Sequence, residues 1–142
     1  MGGNSMTRRE AREQAFCILF EQTVRGEDVE EIIRAAAEAR DLVPNSFTEE
    51  LAYGAEEHQS QLDEMIGGAA KGWSLRRLSK VALAILRMAV FELLYLDSIP
   101  ASVTINEAVE LAKTYGGQGD APYINGVLAT VVKNHCPGGD KP

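Results

Sequence analysis

The sequence has few of the residues that support covalent cross-linking, metal binding or catalysis. Its 142 residues include two cysteines and two histidines, and Cys17 and Cys136 stand near opposite ends of the chain. No CxxC or cysteine–histidine spacing indicates a zinc site, and two cysteines do not form a disulfide framework. We therefore expect no metal and no cofactor, and a reducing cytoplasm is the simplest environment.

Motifs of the common enzyme classes are also missing. The sequence contains no HExxH, GxSxG or GxxxxGK[ST] motif, and no GxGxxG that opens a helix. The segment GGQGDAP precedes a predicted helix, whose N-terminus could hold an anion, but a flexible interhelical loop is the favoured interpretation. Nothing in the pattern predicts a reaction, so we expect a binding protein and not an enzyme.

No segment is apolar over the length that a bilayer requires. The longest apolar run, residues 81–96, is interrupted by Arg87 and Glu92. It predicts a buried core helix whose two charged residues pair with other polar groups. The first residues, MGGNSM, lack the basic start and apolar stretch of a secretory signal. We expect residues 1–6 to be disordered or cloning-derived, and we expect no membrane association.

Helical signals dominate what is present. Apolar residues recur with a period near 3.6, and N-capping patterns precede several of these stretches. The predicted caps are Thr7, Ser79 and Asp120. Capping boxes occur at SFTE (46–49) and TINE (104–107). Gly26 ends the first stretch. The predicted helices cover residues 7–24, 29–40, 46–66, a short stretch of 71–80, 80–96, 104–115 and 120–135.

This pattern predicts an all-α fold of about seven helices in two packed sub-bundles. We expect a single compact domain over residues 7–135, followed by a flexible tail at 136–142. The acidic half is expected to hinge near Gly67–Gly68, where two glycines follow the third predicted helix.

Basic residues are concentrated locally in a chain of net charge −7. Residues 26–66 hold twelve acids against two arginines, whereas residues 67–90 hold five basic residues and no acid. In TRREAREQAF (7–16), Arg8, Arg9 and Arg12 cluster at the start of a predicted helix. Cations there oppose the helix macrodipole, so a structural role alone would favour acids. Because guanidinium groups contact phosphates and stack on bases, the cluster indicates a binding role.

Two further groups of residues are candidate contacts. Tyr123 lies in the first turn of the last predicted helix, where an aromatic ring could stack on an unpaired base, and Asn125 offers amide hydrogen bonds. Tyr123 could equally pack on its own loop. Arg76, Arg77 and Lys80 stand beside apolar residues and form a mixed edge that suits either core packing or a protein–protein contact.

Three stretches resemble the NusB family of transcription antitermination factors. They are TRREAREQAFCILFEQ, ILRMAVFELLYLDSIPASVTINEAVELAKTYGG and YINGVLATV, in that order within residues 7–135. The resemblance implies a helical fold in two sub-bundles. It also implies binding to boxA-type single-stranded RNA of ribosomal RNA operons, together with the ribosomal protein NusE, in the transcription elongation complex.

By this resemblance, one RNA surface is formed by Arg8, Arg9, Arg12, Tyr123 and Asn125. Relatives commonly carry an acidic residue that holds the ribosomal protein at the position of Ala82, which has no such group. The NusE contact is therefore expected to use other residues, namely Phe20, Arg76, Arg77 and Lys80.

Two alternatives remain open on the sequence alone. NusB-like domains also occur in ribosomal RNA methyltransferases, so the chain could be a module of such an enzyme. It could also be a helical interaction protein or homodimer with no RNA role.

Overall fold

All regular elements in the described part of the chain are α-helices. The computed structural model describes residues 6–70 and 78–136. Its seven helices are α1 (Arg8–Arg25), α2 (Val29–Arg40), α3 (Ser46–Glu57), α4 (Gln59–Ala69), α5 (Lys80–Tyr95), α6 (Ala101–Tyr115) and α7 (Asp120–His135). The predicted all-α class and number of helices are confirmed. The short helix predicted at 71–80 falls mainly on residues 71–77, outside the described residues.

Helix α1 begins and ends at the residues that its local sequence predicts. The Thr7 hydroxyl accepts a hydrogen bond from the Glu10 N–H at 3.0 Å, and the Glu10 carboxylate accepts from the Thr7 N–H at 2.9 Å. This reciprocal capping box satisfies two N–H groups that a helix start leaves unpaired. Gly26 closes the helix at φ 74°, a left-handed conformation that glycine adopts without steric cost. Ser79 caps α5, as predicted: its hydroxyl accepts a hydrogen bond from the Ala82 N–H at 3.0 Å.

Helix α5 is the centre of the molecule. Ten of its sixteen residues are buried, and a helix that is apolar on every side must be surrounded by other elements. Helices α1, α2 and α3 pack against one another, α4 and α6 pack on α7, and α5 contacts both groups. This arrangement agrees with two sub-bundles that share one core. No helix within the described ranges is both long enough and apolar enough to cross a membrane.

The two charged residues of α5 are paired, as the sequence predicts. Arg87 donates two hydrogen bonds of 2.8 Å to the carboxylate of Asp63 on α4. Glu92 is 1% exposed and accepts two hydrogen bonds from Arg12 of α1. These ion pairs connect the central helix to both of its neighbouring groups.

The single helix predicted over 46–66 is two helices, so that prediction is wrong. The backbone of His58 leaves helical geometry at φ −104° and ψ 17°, between α3 and α4. Its ring stacks on Tyr95 of α5, with centroids 4.3 Å apart. A contact with a distant part of the chain thus accompanies the break. Gly67 and Gly68 lie inside α4, and the predicted hinge there is also wrong.

Two predicted capping boxes do not begin their helices. Ser46 is the first residue of α3, and the cap is Asn45, whose side chain accepts from two backbone N–H groups. Thr104 lies inside α6, which begins after Pro100. The Thr104 hydroxyl instead donates to Glu92 at 2.9 Å. Both boxes are wrong because the helices begin upstream of them: Asn45 caps α3 one residue earlier, and α6 begins after Pro100, which has an extended backbone and no side-chain cap.

Asp120 is also not the N-cap of the last helix. Gly119 occupies that position at φ 94°, and Asp120 is the first residue of α7. The Asp120 carboxylate accepts a hydrogen bond from the Gly117 N–H at 2.9 Å. The side chain therefore folds back on the preceding loop and orders the approach to α7.

The described residues at the chain ends contact the core. Met6 packs against it, and the Cys136 thiol lies 3.8 Å from the Leu93 carbonyl oxygen. The remaining residues of the two predicted terminal segments, 1–5 and 137–142, lie outside the described part of the chain.

Candidate nucleic-acid interface

Arg8 presents its guanidinium on an aromatic platform. Its Cζ lies 4.0 Å from the centroid of the Phe47 ring, at the start of α3. The Arg8 side chain is exposed, whereas Phe47 is 8% exposed. A cation over the face of a buried ring is held in place electrostatically while its N–H groups stay open to solvent. Among the three clustered arginines, Arg8 therefore has a guanidinium that is both held in place and accessible to a ligand.

Arg9 is engaged by a carboxylate of α6. Its Nε and Nη2 donate to the two oxygens of Glu107 at 3.0 and 2.8 Å. The hydrogen bond to Glu107, followed by its charge, raises the pKa of Arg9. The hydrogen bond from Arg9 likewise lowers the pKa of the Glu107 carboxyl group. This pair joins the start of α1 to the second turn of α6.

Arg12 is buried, in contrast to its two neighbours. It is 4% exposed, and its Nε and Nη2 donate to the Glu92 carboxylate at 2.8 and 2.9 Å. Its Cζ also lies 5.3 Å from the Phe47 ring centroid. Arg8 and Arg12 thus share a helix face, as their spacing predicts. The guanidinium of Arg12 nevertheless points inward, where Glu92 holds it.

Tyr123 and Asn125 lie on α7 in different environments. Tyr123 is half-buried and packs against the core, and burial raises the pKa of its phenol. Asn125 is exposed. Residues two apart on a helix do not share a face, which explains the difference. The amide of Asn125 is therefore accessible near the start of α7, whereas the ring of Tyr123 is partly covered.

Helix α6 connects the two halves of the predicted surface. It carries Glu107, which binds Arg9, and it packs along α7. Tyr115, at its other end, donates a short hydrogen bond to Glu13 of α1. Between α1 and α6 lies a cleft of about 120 Å³, which is also lined by Glu110. The surroundings of Arg9 are thus acidic, whereas Arg8 lies on the opposite, aromatic side.

The residues predicted for a protein partner are described only in part. Phe20 is half-buried and lines an apolar groove of about 520 Å³ together with Phe16, Val24, Val81 and Tyr115. Lys80 is exposed at the first position of α5, and Ala82 is 1% exposed. Arg76 and Arg77 lie outside the described residues. A side chain of a protein partner could bind in the apolar groove that contains Phe20.

A model of the NusB family matches residues 9–133 of this chain. The chain belongs to the NusB family. Among its relatives, a transcription antitermination protein NusB of Bacillus velezensis is 45% identical over 126 residues, covering 89% of this chain and 95% of that protein. The resemblance drawn from the three sequence stretches is thereby confirmed.

Solved NusB structures share the fold. A NusB from T. maritima is 35% identical with a TM-score of 0.82, covering 93% of this chain and 94% of that one. A structure of the antitermination factors NusB and NusE in complex with double-stranded RNA is 27% identical with a TM-score of 0.80. It covers 90% of this chain and 97% of that one.

Sequence reasoning missed Phe47 and Glu107, and it predicted a polar partner for Glu92 without naming Arg12. Phe47 supports Arg8, Glu107 engages Arg9 and Glu92 holds Arg12. The two glutamates are separated from their arginines by 98 and 80 residues. Glu92 was visible as a lone acid in an apolar helix, whereas Glu107 resembles any exposed acid of an amphipathic helix. In the described ranges, no group of His, Cys, Asp or Glu side chains could hold a metal ion.

Proposed function

We propose that this NusB-family chain is a transcription antitermination factor that acts by binding and not by catalysis. It binds boxA-type RNA of ribosomal RNA operons together with NusE, within the transcription elongation complex in the cytoplasm. The observation that carries the proposal is Arg8, an exposed guanidinium oriented by Phe47 at the first turn of α1. The family membership of residues 9–133 supports the same function.

The two arginines that reach the surface have the chemistry for phosphate contacts. The guanidinium fork of Arg8 and that of Arg9 match the spacing of phosphate oxygens. Tyr123 and Asn125 supply stacking and amide hydrogen bonds for unpaired bases. Arg12 takes a different role, because its pair with Glu92 fixes α1 on the core. Arg12 thus acts on RNA through the position of α1.

NusE is proposed to bind at the groove that contains Phe20. The groove is apolar and open, and Lys80, next to Val81 in the sequence, would add positive charge. Arg76 and Arg77 are proposed as further contacts from the sequence alone. Because Phe20 and the arginine cluster lie on the same helix, both partners would contact α1. Binding of NusE would then stabilise the helix that presents Arg8 to RNA.

Fluorescence polarisation with a labelled boxA-type oligomer tests the proposal. Probes are the single strand, its duplex and a scrambled strand, each with and without NusE. The relative solved with NusE contains double-stranded RNA, so the duplex arm decides which form this chain prefers. We expect boxA-type RNA to bind more tightly than the scrambled strand, and NusE to tighten that binding.

Arg8→Ala is the variant that isolates the first contact. We expect weaker RNA binding and a salt slope that is smaller by about 0.7, the value for one phosphate contact on a single strand. Arg34→Ala is the matched control, since Arg34 is an exposed arginine of α2 paired with Glu30 and Glu31. Equal losses in the two variants, or no preference for boxA-type RNA in the parent, would refute the proposal.

A further inference from the structure

The exposed face of Arg9 is already occupied by a carboxylate of the same chain. Arg9 donates its Nε and one Nη to the two oxygens of Glu107, at 3.0 and 2.8 Å. The side chain of Arg9 is 66% exposed, whereas that of Glu107 is 14% exposed. Glu107 is therefore the fixed partner, and Arg9 is the partner that can swing into solvent.

A carboxylate and a phosphate compete for the same edge of a guanidinium. Both present two oxygens that accept parallel hydrogen bonds from the arginine fork. A phosphate of RNA can reach the Nε edge of Arg9 only after Glu107 has released it. The competing group is also intramolecular, so dilution of the protein does not remove it.

The cleft beside Arg9 makes the region unfavourable for a phosphate to approach. Glu13, Glu107 and Glu110 line it, and Arg12, which also lines it, is already paired with Glu92. If Arg9 leaves Glu107, that carboxylate stays in the cleft without its cation, and its charge repels the RNA backbone. The ordinary pKa of a glutamate carboxyl group, about 4.3, already leaves Glu107 ionised at neutral pH, and the hydrogen bond from Arg9 lowers that pKa further while the pair is intact. Competition and repulsion thus act in the same direction.

We propose that Glu107 is an intramolecular competitor for RNA phosphate at Arg9 and thereby lowers the RNA affinity of the free protein. The inference rests on the proposed function, because it assumes that Arg9 belongs to the RNA surface. Arg8 is held by an aromatic ring that no phosphate displaces, so it makes the first contact. Arg9 joins only when the RNA outcompetes Glu107.

Glu107→Gln tests the competition directly. Glutamine keeps an oxygen that accepts a hydrogen bond from Arg9 but removes the charge. We expect boxA-type single-stranded RNA to bind about two- to fivefold more tightly, in keeping with the modest strength of an exposed ion pair. The gain should be largest at low salt, and the salt slope should steepen by up to about 0.7 because Arg9 now releases counterions fully.

Glu110→Gln is the matched control for general loss of negative charge. Glu110 lies one turn further along α6, lines the same cleft and forms a looser pair with Lys113 at 3.4 Å. In this variant Arg9 remains bound to Glu107, so we expect a smaller effect on affinity. Arg9→Ala supplies the second control, since in that background Glu107→Gln relieves only repulsion and its gain should fall to that of Glu110→Gln. Circular dichroism melting of each variant establishes that all of them are folded.

The outcomes separate this inference from the proposed function. Tighter binding in Glu107→Gln that falls to the gain of Glu110→Gln in the Arg9→Ala background establishes the competition. Unchanged or weaker binding overturns it, as does an equal gain in Glu110→Gln. If the parent prefers boxA-type RNA while Glu107→Gln gains nothing, the competition alone fails. If neither protein binds RNA, with or without NusE, both proposals fail together.

Discussion

Arg12 and Glu92 form a buried, two-fold hydrogen-bonded ion pair between the first helix and the central helix. The nitrogen–oxygen distances are 2.8 and 2.9 Å, and the residues are 4% and 1% exposed. Thr104 donates a further hydrogen bond to Glu92. A charge taken out of water is tolerated only when it is paired and hydrogen-bonded. The pair therefore helps to hold α1 against α5.

Replacement of Arg12 by alanine should destabilise the protein strongly. The change leaves Glu92 buried without its cation, which costs about 3–5 kcal/mol of unfolding free energy. Urea denaturation followed by circular dichroism measures the loss. Arg8→Ala is the control, because Arg8 is exposed and its removal leaves no buried charge. A loss below about 1 kcal/mol in Arg12→Ala would contradict the structural role of the pair.

The double variant Arg12→Met with Glu92→Met should recover much of that loss. An apolar pair of similar volume avoids the cost of burying two charges, and such replacements are often neutral or stabilising. Thr104 loses one acceptor, so recovery is expected to be incomplete. Denaturation of the single and double variants together gives the coupling energy. Purely additive losses would show that the two side chains act independently.

Gly54→Ala should destabilise the contact between α3 and α5. A Cβ at residue 54 would lie 2.1 Å from Cζ of the Phe91 ring, so the ring or the helix must move. We expect a loss of about 1–3 kcal/mol, the usual cost of overpacking. Gly67→Ala is the matched control, since nothing in the described chain lies within 4 Å of its Cβ. That variant should gain about 0.5–1 kcal/mol from helix propensity.

Tyr115 should be among the last tyrosines to ionise. Its hydrogen bond to the Glu13 carboxylate, followed by burial, raises its pKa from 10.0 to about 12. A raised phenol pKa favours the folded state below pH 10, and this contribution is lost as the pH rises through about 12. Alkaline titration of tyrosinate absorbance measures the transition. Glu13→Gln should lower the pKa, and Tyr115→Phe should remove the transition; a titration curve unaltered by either change would contradict the assignment.

Phe47→Leu should weaken RNA binding through Arg8. Leucine keeps the apolar contact with the core but removes the ring face beneath the guanidinium. Loss of an exposed cation–π contact predicts about a two- to fivefold weaker affinity for boxA-type RNA. Phe20→Leu is the control in the apolar groove and should impair the effect of NusE instead. A Phe47→Leu protein that binds RNA like the parent would show that Arg8 needs no platform.

Local signals were sufficient for part of the fold. The capping box of Thr7 and Glu10, the glycine at 26 and the cap at Ser79 predict the ends of their helices correctly. These features depend on neighbours within a few residues, so the sequence displays them directly. The agreement in helix number is partly fortuitous. The sequence predicts a helix at 71–80, of which residues 71–77 lie outside the described part of the chain, and the seventh helix of the described residues arises from a break at His58.

Distant contacts account for what the sequence could not predict. His58 stacks on Tyr95, and Glu107 binds Arg9 across 98 residues. Nothing in the spacing of TRREAREQAF separates the three arginines, although the fold gives each of them a different partner. The family motifs predict a surface, but the division between exposed Arg8, engaged Arg9 and buried Arg12 requires the packed structure.

The long sequence separation of these ion pairs has a consequence for synthesis. Glu92 follows Arg12 by 80 residues, so translation at about 5–20 residues per second delivers it roughly 4 to 16 s later. During that interval the nascent first helix carries Arg12 without its acidic partner, and Arg9 waits longer still for Glu107. Helix α1 is therefore synthesised well before the two acids that pair with its arginines, and it can pack on α2 and α3 before those pairs form.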